Sequence, residues 1–153
     1  MLLIYINIRR GFKVKYLFIN ASANPGGTTA NLAGQLLKGK DYETFNLADY
    51  HIYPLGQENT SNDQFNELCG QVRKADVLII GTPVYWSSMS AYMKIMIDRM
   101  TNVMGENNPF SGKNLYLIID GSAPQDTIPH VKHVWEHVSR RFNMNFKKTV
   151  TNV

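Results

Sequence analysis

The chain has 153 residues, 44% hydrophobic and 18% charged, which is the make-up of one globular domain large enough for a real core. Its formal charge of +4 comes from 16 basic residues that are scattered rather than run together, which admits an anionic ligand and argues against a nucleic-acid-binding stripe. One cysteine, Cys69, excludes an internal disulfide and a CxxC metal or redox pair, and no apolar run approaches the ~18 residues of a membrane span.

Residues 1–13 open with an apolar stretch that precedes a basic pair, Arg9-Arg10, the reverse of a secretory signal. They read as an added edge segment or, preferably, a start-site artefact, with a start codon at Val14 and the domain proper over 14–153. Val14 to Ile19 predicts the first strand, ending at Asn20. SANPGGTT, residues 22–29, is a turn-rich loop, and a helix follows over 30–37. A short second strand spans 43–47. Residues 63–74 form an amphipathic helix on Phe65, Leu68, Cys69 and Val72, where Cys69 is a small buried apolar residue rather than a nucleophile.

Val77-Leu78-Ile79-Ile80 is a continuous apolar run, a strand buried on both faces. It stops at Gly81, and Pro83 keeps Thr82 out of the helical region. Tyr85 and Trp86 then stand in a loop. Ser87, Ser88 and Ser90 offer N-caps to a helix marked by Met89, Tyr92, Met93, Met96, Ile97 and Met100 at helical spacing. A polar connection over 102–113 leads to the fourth strand, 115–119. The loop DGSAPQDT (120–127), a helix over 128–142 and a fifth strand over 145–150 complete the chain. Strands alternating with helices argue a parallel sheet covered on both faces.

In such a sheet the loops after the first, third and fourth strands lie side by side, and ligands bind there. The first offers hydroxyls, glycines and a helix start, which suit a phosphate. It lacks both GxxxxGK[ST] and GxGxxG. Aromatic rings on the second suit a planar ligand, and Gly121-Ser122 forms the third.

INASANPGGTTANLA (19–33), ADVLIIGTPVYWSSMSAYMKIMIDR (75–99) and GKNLYLIIDGS (112–122) resemble the NADPH-dependent FMN reductases of the flavodoxin-like superfamily. The resemblance spans about residues 15–150. It implies an α/β, flavodoxin-like three-layer sandwich, a five-stranded parallel sheet of order 2-1-3-4-5 with FMN at its switch point. By that resemblance Ser22, Asn24, Gly27, Thr28 and Thr29 hold the FMN phosphate. Pro83, Val84, Tyr85, Trp86 and Ser87 line the ribityl chain and isoalloxazine, and Gly121 and Ser122 close the pyrimidine side. Many relatives carry an arginine where Asn24 stands, so a charge-assisted phosphate contact is missing. Cys69 alone cannot form the iron–sulfur cluster of some relatives.

The implied activity is an FMN-dependent NAD(P)H oxidoreductase working by a ping-pong cycle, with NADPH or NADH as donor. A quinone, nitro or azo aromatic or free flavin is the acceptor. Flavin chemistry demands no acid–base side chain, so no catalytic residue is assigned. Backbone N–H groups near residues 85–88 are placed to face the flavin's N5 and O4 edge. Tyr85 and Trp86 also suit an interface, and relatives often build the site across a dimer; a homodimer or homotetramer in the cytoplasm is expected, with no nucleic acid and no membrane. A flavodoxin-type electron carrier and a non-catalytic binding module are the alternatives. The basic charge and the SANPGGTT loop speak against the first, and the intact aromatic loop against the second.

His130, His133 and His137 share a helical stripe that invites a metal. They fall opposite the apolar face of Val131, Trp135, Val138 and Phe142, so they read as a solvated face and no metal is assigned. Asp98-Arg99 reads as a structural helix ending, the methionines as core, and Lys94 as exposed.

Overall fold

The computed structural model describes residues 11–58 and 61–153. Most of the segment expected over 1–13 therefore lies outside the described residues. Five parallel strands form the sheet: β1 (Tyr16–Asn20), β2 (Tyr42–Asn46), β3 (Val77–Tyr85), β5 (Asn114–Asp120) and β6 (Asn145–Thr151). A two-residue strand, β4 (Ser88–Met89), pairs antiparallel with the end of β3. The spatial order is β2-β1-β3-β5-β6, the expected 2-1-3-4-5 once β4 is set aside. Helices α1 (Thr28–Leu36), α2 (Phe65–Lys74), α3 (Ala91–Met100) and α4 (Thr127–Arg141) connect them. No described helix is long and apolar enough to cross a membrane.

Alternation along the strands divides the core. Leu17, Ile19, Leu78, Ile80, Leu117 and Ile119 face α2, α3 and α4. Phe18, Ile79 and Ile118 face the other way, where α1 covers them with Ala33 and Leu37. Among the described residues, three α-helices thus lie on one face and one on the other. Met93, Met96 and Met100 are fully buried, each contributing about 1.5–3 kcal/mol of hydrophobic stabilisation. The buried Trp135 indole N–H donates to Met93 Sδ at 3.3 Å, so a soft thioether serves as its partner. Cys69 is buried in the same cluster, and burial pushes its thiol up to about 11, which leaves it unreactive.

The irregular stretch before α2 is fastened to α3 by one ion pair. Arg99 Nη1 and Nη2 donate to the two oxygens of Asp63 at 2.7 and 2.8 Å. The same guanidinium donates to the Tyr53 carbonyl and to Asn102 Oδ1, both at 2.8 Å, and lies over the Phe65 ring. Asp63 also accepts the backbone N–H groups of Tyr53 and Phe65. Four of the guanidinium's five N–H groups are thereby matched, as a buried guanidinium requires of most of its donors.

The third strand departs from expectation. It continues through Tyr85 instead of ending at Ile80, so Pro83 to Tyr85 are strand and not loop. Past Gly81 its neighbour β1 has ended, and β3 pairs only with β5, to the Pro83–Asp120 rung. A proline is tolerated on such a one-sided extension because its missing N–H faces no acceptor strand.

Candidate functional site

Asn20, Gly81 and Ile118 lie on one rung of the sheet, so the exits of β1, β3 and β5 are neighbours at its carboxyl end. The β1 exit is wound by a relay of side chains. Asn20 Oδ1 accepts from the Ser22 N–H at 3.1 Å, Ser22 Oγ from the Asn24 N–H at 3.0 Å, and Asn24 Oδ1 from the Gly26 N–H at 3.2 Å. Each bond reaches two residues along the chain, the local turn that Asn and Ser favour. Asn24 is therefore a loop-former whose amide is folded back. The relay was visible as polar residues at every second position from 20 to 24.

Helix α1 begins directly after this loop. Its N-cap is Gly27, with no side-chain cap, and Asn31 makes the first i to i−4 bond, to the Gly27 carbonyl at 3.1 Å. The N–H groups of Thr28, Thr29 and Ala30 consequently have no partner inside the helix and are directed at the loop. That is a site for an anion. Thr28 is exposed there. Thr29 is buried, and its hydroxyl donates inward to Asp120 Oδ1 at 2.5 Å. It reaches that position across Gly81: a Cβ on Gly81 would stand 2.5 Å from the Thr29 methyl, so only glycine lets α1 settle so low on the sheet.

The β3 exit is a two-residue hairpin. Val84 pairs with Met89 and Tyr85 with Ser88, leaving Trp86 and Ser87 as the turn. Both have positive φ, 50° and 58°. Such turns prefer Asn-Gly, and side-chain-bearing residues are strained in this region by roughly 1–2 kcal/mol each. The strain presents Trp86 to solvent over its whole surface, with Tyr85 43% exposed beside it. Below the turn, Ser90 is the α3 N-cap, the one of the three candidate serines to take that role. Its Oγ accepts from the Met93 N–H and donates to the Ala21 carbonyl at 2.6 Å, while its N–H donates to Thr82 Oγ at 2.9 Å. The hairpin is thereby bolted to the β1 exit.

At the β5 exit stands Asp120, buried and paired with Thr29. Burial pushes its carboxyl above the ordinary range, and the Thr29 hydrogen bond pulls the other way. Sequence reasoning passed over this residue, although an acid closing the apolar run LYLII was a signal. Gly121 follows, its main chain bonded to the Asn152 side chain. Ser122 is exposed. No lysine or arginine occurs in residues 20–29, 81–90 or 120–126, so an anion here meets backbone N–H groups and hydroxyls.

The twelve residues expected at the site lie at three adjoining strand exits: Ser22, Asn24 and Gly27 ahead of α1, Thr28 and Thr29 in its first turn, Pro83, Val84 and Tyr85 at the end of β3, Trp86 and Ser87 in the hairpin turn, and Gly121 and Ser122 after β5. These loops suit the phosphate, chain and ring of FMN: an uncapped helix start for the first, hydroxyls between, an exposed aromatic pair for the last. A cavity of about 570 Å³ lies at the opposite end of the sheet among Lys13, Lys15, Asp41, Glu43 and Lys74. Strand carboxyl ends, where helix N-termini converge, are the better ligand site. His130, His133 and His137 are exposed on α4, and among the described residues no cluster is placed to hold a metal.

Known proteins share the sequence pattern and the fold. The YwqN protein of Bacillus subtilis, assigned as an NAD(P)H-dependent FMN-containing oxidoreductase, is 28% identical, with 88% of this chain and 82% of that protein covered. An FMN-dependent NADPH-azoreductase of Staphylococcus saprophyticus is 33% identical over 100 residues, 58% of this chain and 53% of that one, so the chain spans about half its length. The solved structure of the Trp repressor binding protein from Bacillus subtilis superposes with a TM-score of 0.71 at 27% identity, over 89% of this chain and 84% of that one. With residues 14–150, all three loops included, matching the family described as NADPH-dependent FMN reductase, the chain belongs to that family.

Proposed function

We propose that this chain binds FMN across its three-loop end and passes electrons from NAD(P)H to a small acceptor, a quinone, a nitro or azo aromatic or free flavin. One observation carries the reading: the uncapped start of α1 and the exposed Tyr85–Trp86 hairpin stand on adjoining loops. Ser22, Asn24, Gly27, Thr28 and Thr29 would hold the phosphate. Ser22 and Thr28 can offer hydroxyls, and Thr29 its N–H, since its hydroxyl is engaged by Asp120. Asn24 shapes the loop. Pro83, Val84, Tyr85, Trp86 and Ser87 would flank the ribityl chain and ring, with Gly121 and Ser122 on the pyrimidine side. Bound there, FMN supplies the hydride and electron chemistry; the protein's part is to orient the ring, exclude water from one face and aim N–H groups at its polar edge. No acid–base side chain is required.

The exposed aromatic hairpin also supports a homodimer or homotetramer joined near the site, which light scattering after size exclusion would read directly. The single buried cysteine supports a reducing cytoplasm.

A visible spectrum of protein incubated with FMN, desalted and mixed anaerobically with NADPH tests the reading. Retained yellow flavin that NADPH bleaches is expected; flavin that NADPH leaves oxidised would instead mark an electron carrier. Trp86→Ala should weaken FMN about tenfold, the loss of roughly 1–1.5 kcal/mol of aromatic stacking, with little change in melting temperature. Unchanged affinity and unchanged NADPH oxidation would remove Trp86 from the site.

A further inference from the structure

We propose that Asn152, outside all three loops, is a positioning residue for the flavin site, a role that rests on the FMN reading above. Strand β6 ends at Thr151, whose partner on β5 is Ile119. Beyond that rung β5 runs on to Asp120, Gly121 follows it, and among the described residues no further strand lies on this side. The Asn152 carboxamide takes the strand's place. Its Oδ1 accepts from the Gly121 N–H at 3.1 Å and its Nδ2 donates to the Gly121 carbonyl at 2.9 Å. Two antiparallel bonds from one planar group fix the orientation of the residue as well as its distance, as a ladder rung does.

On the opposite flank Gly121 is pressed against the aromatic hairpin strand. A Cβ at Gly121 would stand 3.1 Å from Val84 Cβ and 3.8 Å from Pro124 Cβ, so the glycine is held in a slot between Val84 and Asn152. The preceding residue, Asp120, is fixed from α1 by Thr29. The loop therefore leaves the sheet from two clamped residues, and Asn152 is the clamp that sets Gly121 and Ser122 relative to Val84. With its N–H engaged by Asn152, Gly121 has no main-chain donor left for a ligand; it fixes the height of the loop that closes the ring side. Only asparagine suits the position. Aspartate lacks the donor, glutamine is one methylene too long, and alanine has neither group. Because Asn152 is exposed, water replaces its bonds readily, and its loss should loosen the loop without unfolding the chain.

The test uses the full chain with Asn152→Ala and Asn152→Asp. Hydrogen exchange over residues 119–127 of the flavin-free protein should quicken about tenfold in both, with the melting temperature within about 2 °C of wild type. Titration with FMN and with riboflavin should then show a similar loss for both flavins, about tenfold, and an altered absorption envelope for the bound FMN that a mere loss of stability would not produce. Unchanged exchange, unchanged affinity for both flavins, or a loss confined to FMN, which would point to the phosphate end, each overturns the proposal. A wild-type protein that binds neither flavin would sink the FMN reading, and exchange alone would then decide whether Asn152 clamps the loop.

Discussion

Two aspartates drawn in from solvent, Asp63 partly and Asp120 fully buried, stand in opposite circumstances in this chain. Asp63 meets a bidentate arginine and two backbone N–H groups, and its carboxyl is drawn from its ordinary 3.8 down to about 2, chiefly by the Arg99 hydrogen bonds. Asp120 meets one hydroxyl and no cation, and burial raises it. The first is an acid the fold uses as a rivet, since its charge is fully matched. The second is an ionisable group the fold tolerates where three loops leave the sheet, held only by the Thr29 hydroxyl. The matched charge fastens the scaffold; the less matched one lies at the end of β5, on a rung with Pro83 of the hairpin strand.

Breaking the first pair should have the largest effect. Arg99→Leu leaves the half-buried Asp63 without its cation and removes a buried guanidinium, and should cost about 3 kcal/mol in urea unfolding at pH 7. A cost under about 1 kcal/mol would mean that the stretch before α2 contributes little to the fold. Acid tests the same pair from the other partner. A depressed carboxyl stabilises above its unfolded value, so about 2 kcal/mol should be present at pH 6 and drain away as pH falls from 3.8 through about 2. Asp63→Asn should lower stability at pH 6 and remove that component of the acid dependence. Asp120 should answer with the opposite sign. Its raised carboxyl is a burden while ionised, and the burden lifts as pH drops through its folded value towards 3.8. Asp120→Asn keeps an acceptor for Thr29 and should therefore gain up to about 1 kcal/mol at pH 7, with the gain fading in acid. A loss at pH 7 would show that the negative charge itself is structural.

Much of the scaffold was legible because its signals are local. The buried runs at 77–80 and 115–119, the alternation of strands and helices and the three family-like stretches carried the topology. Cys69, the methionine row and the histidine stripe lie where their periodicity placed them, two in the core and one in water. The continuation of β3 was hidden by Gly81 and Pro83, which break an interior strand but not one that has lost a neighbour. Trp86-Ser87 gave no turn signal, since tight hairpins announce themselves by Asn-Gly. The links that finish the site, Thr29 to Asp120 and Asn152 to Gly121, join residues 91 and 31 apart, beyond the reach of any periodicity.

The contact of Thr29 on Gly81 has a consequence for how the loops respond to salt. The height of the first turn of α1 above the sheet is set there by van der Waals contact, which ions do not screen. An anion at that turn is attracted by partial charges at the helix start, which ions do screen. Rising ionic strength should loosen the hold on a phosphate while leaving the seat that receives it where it was.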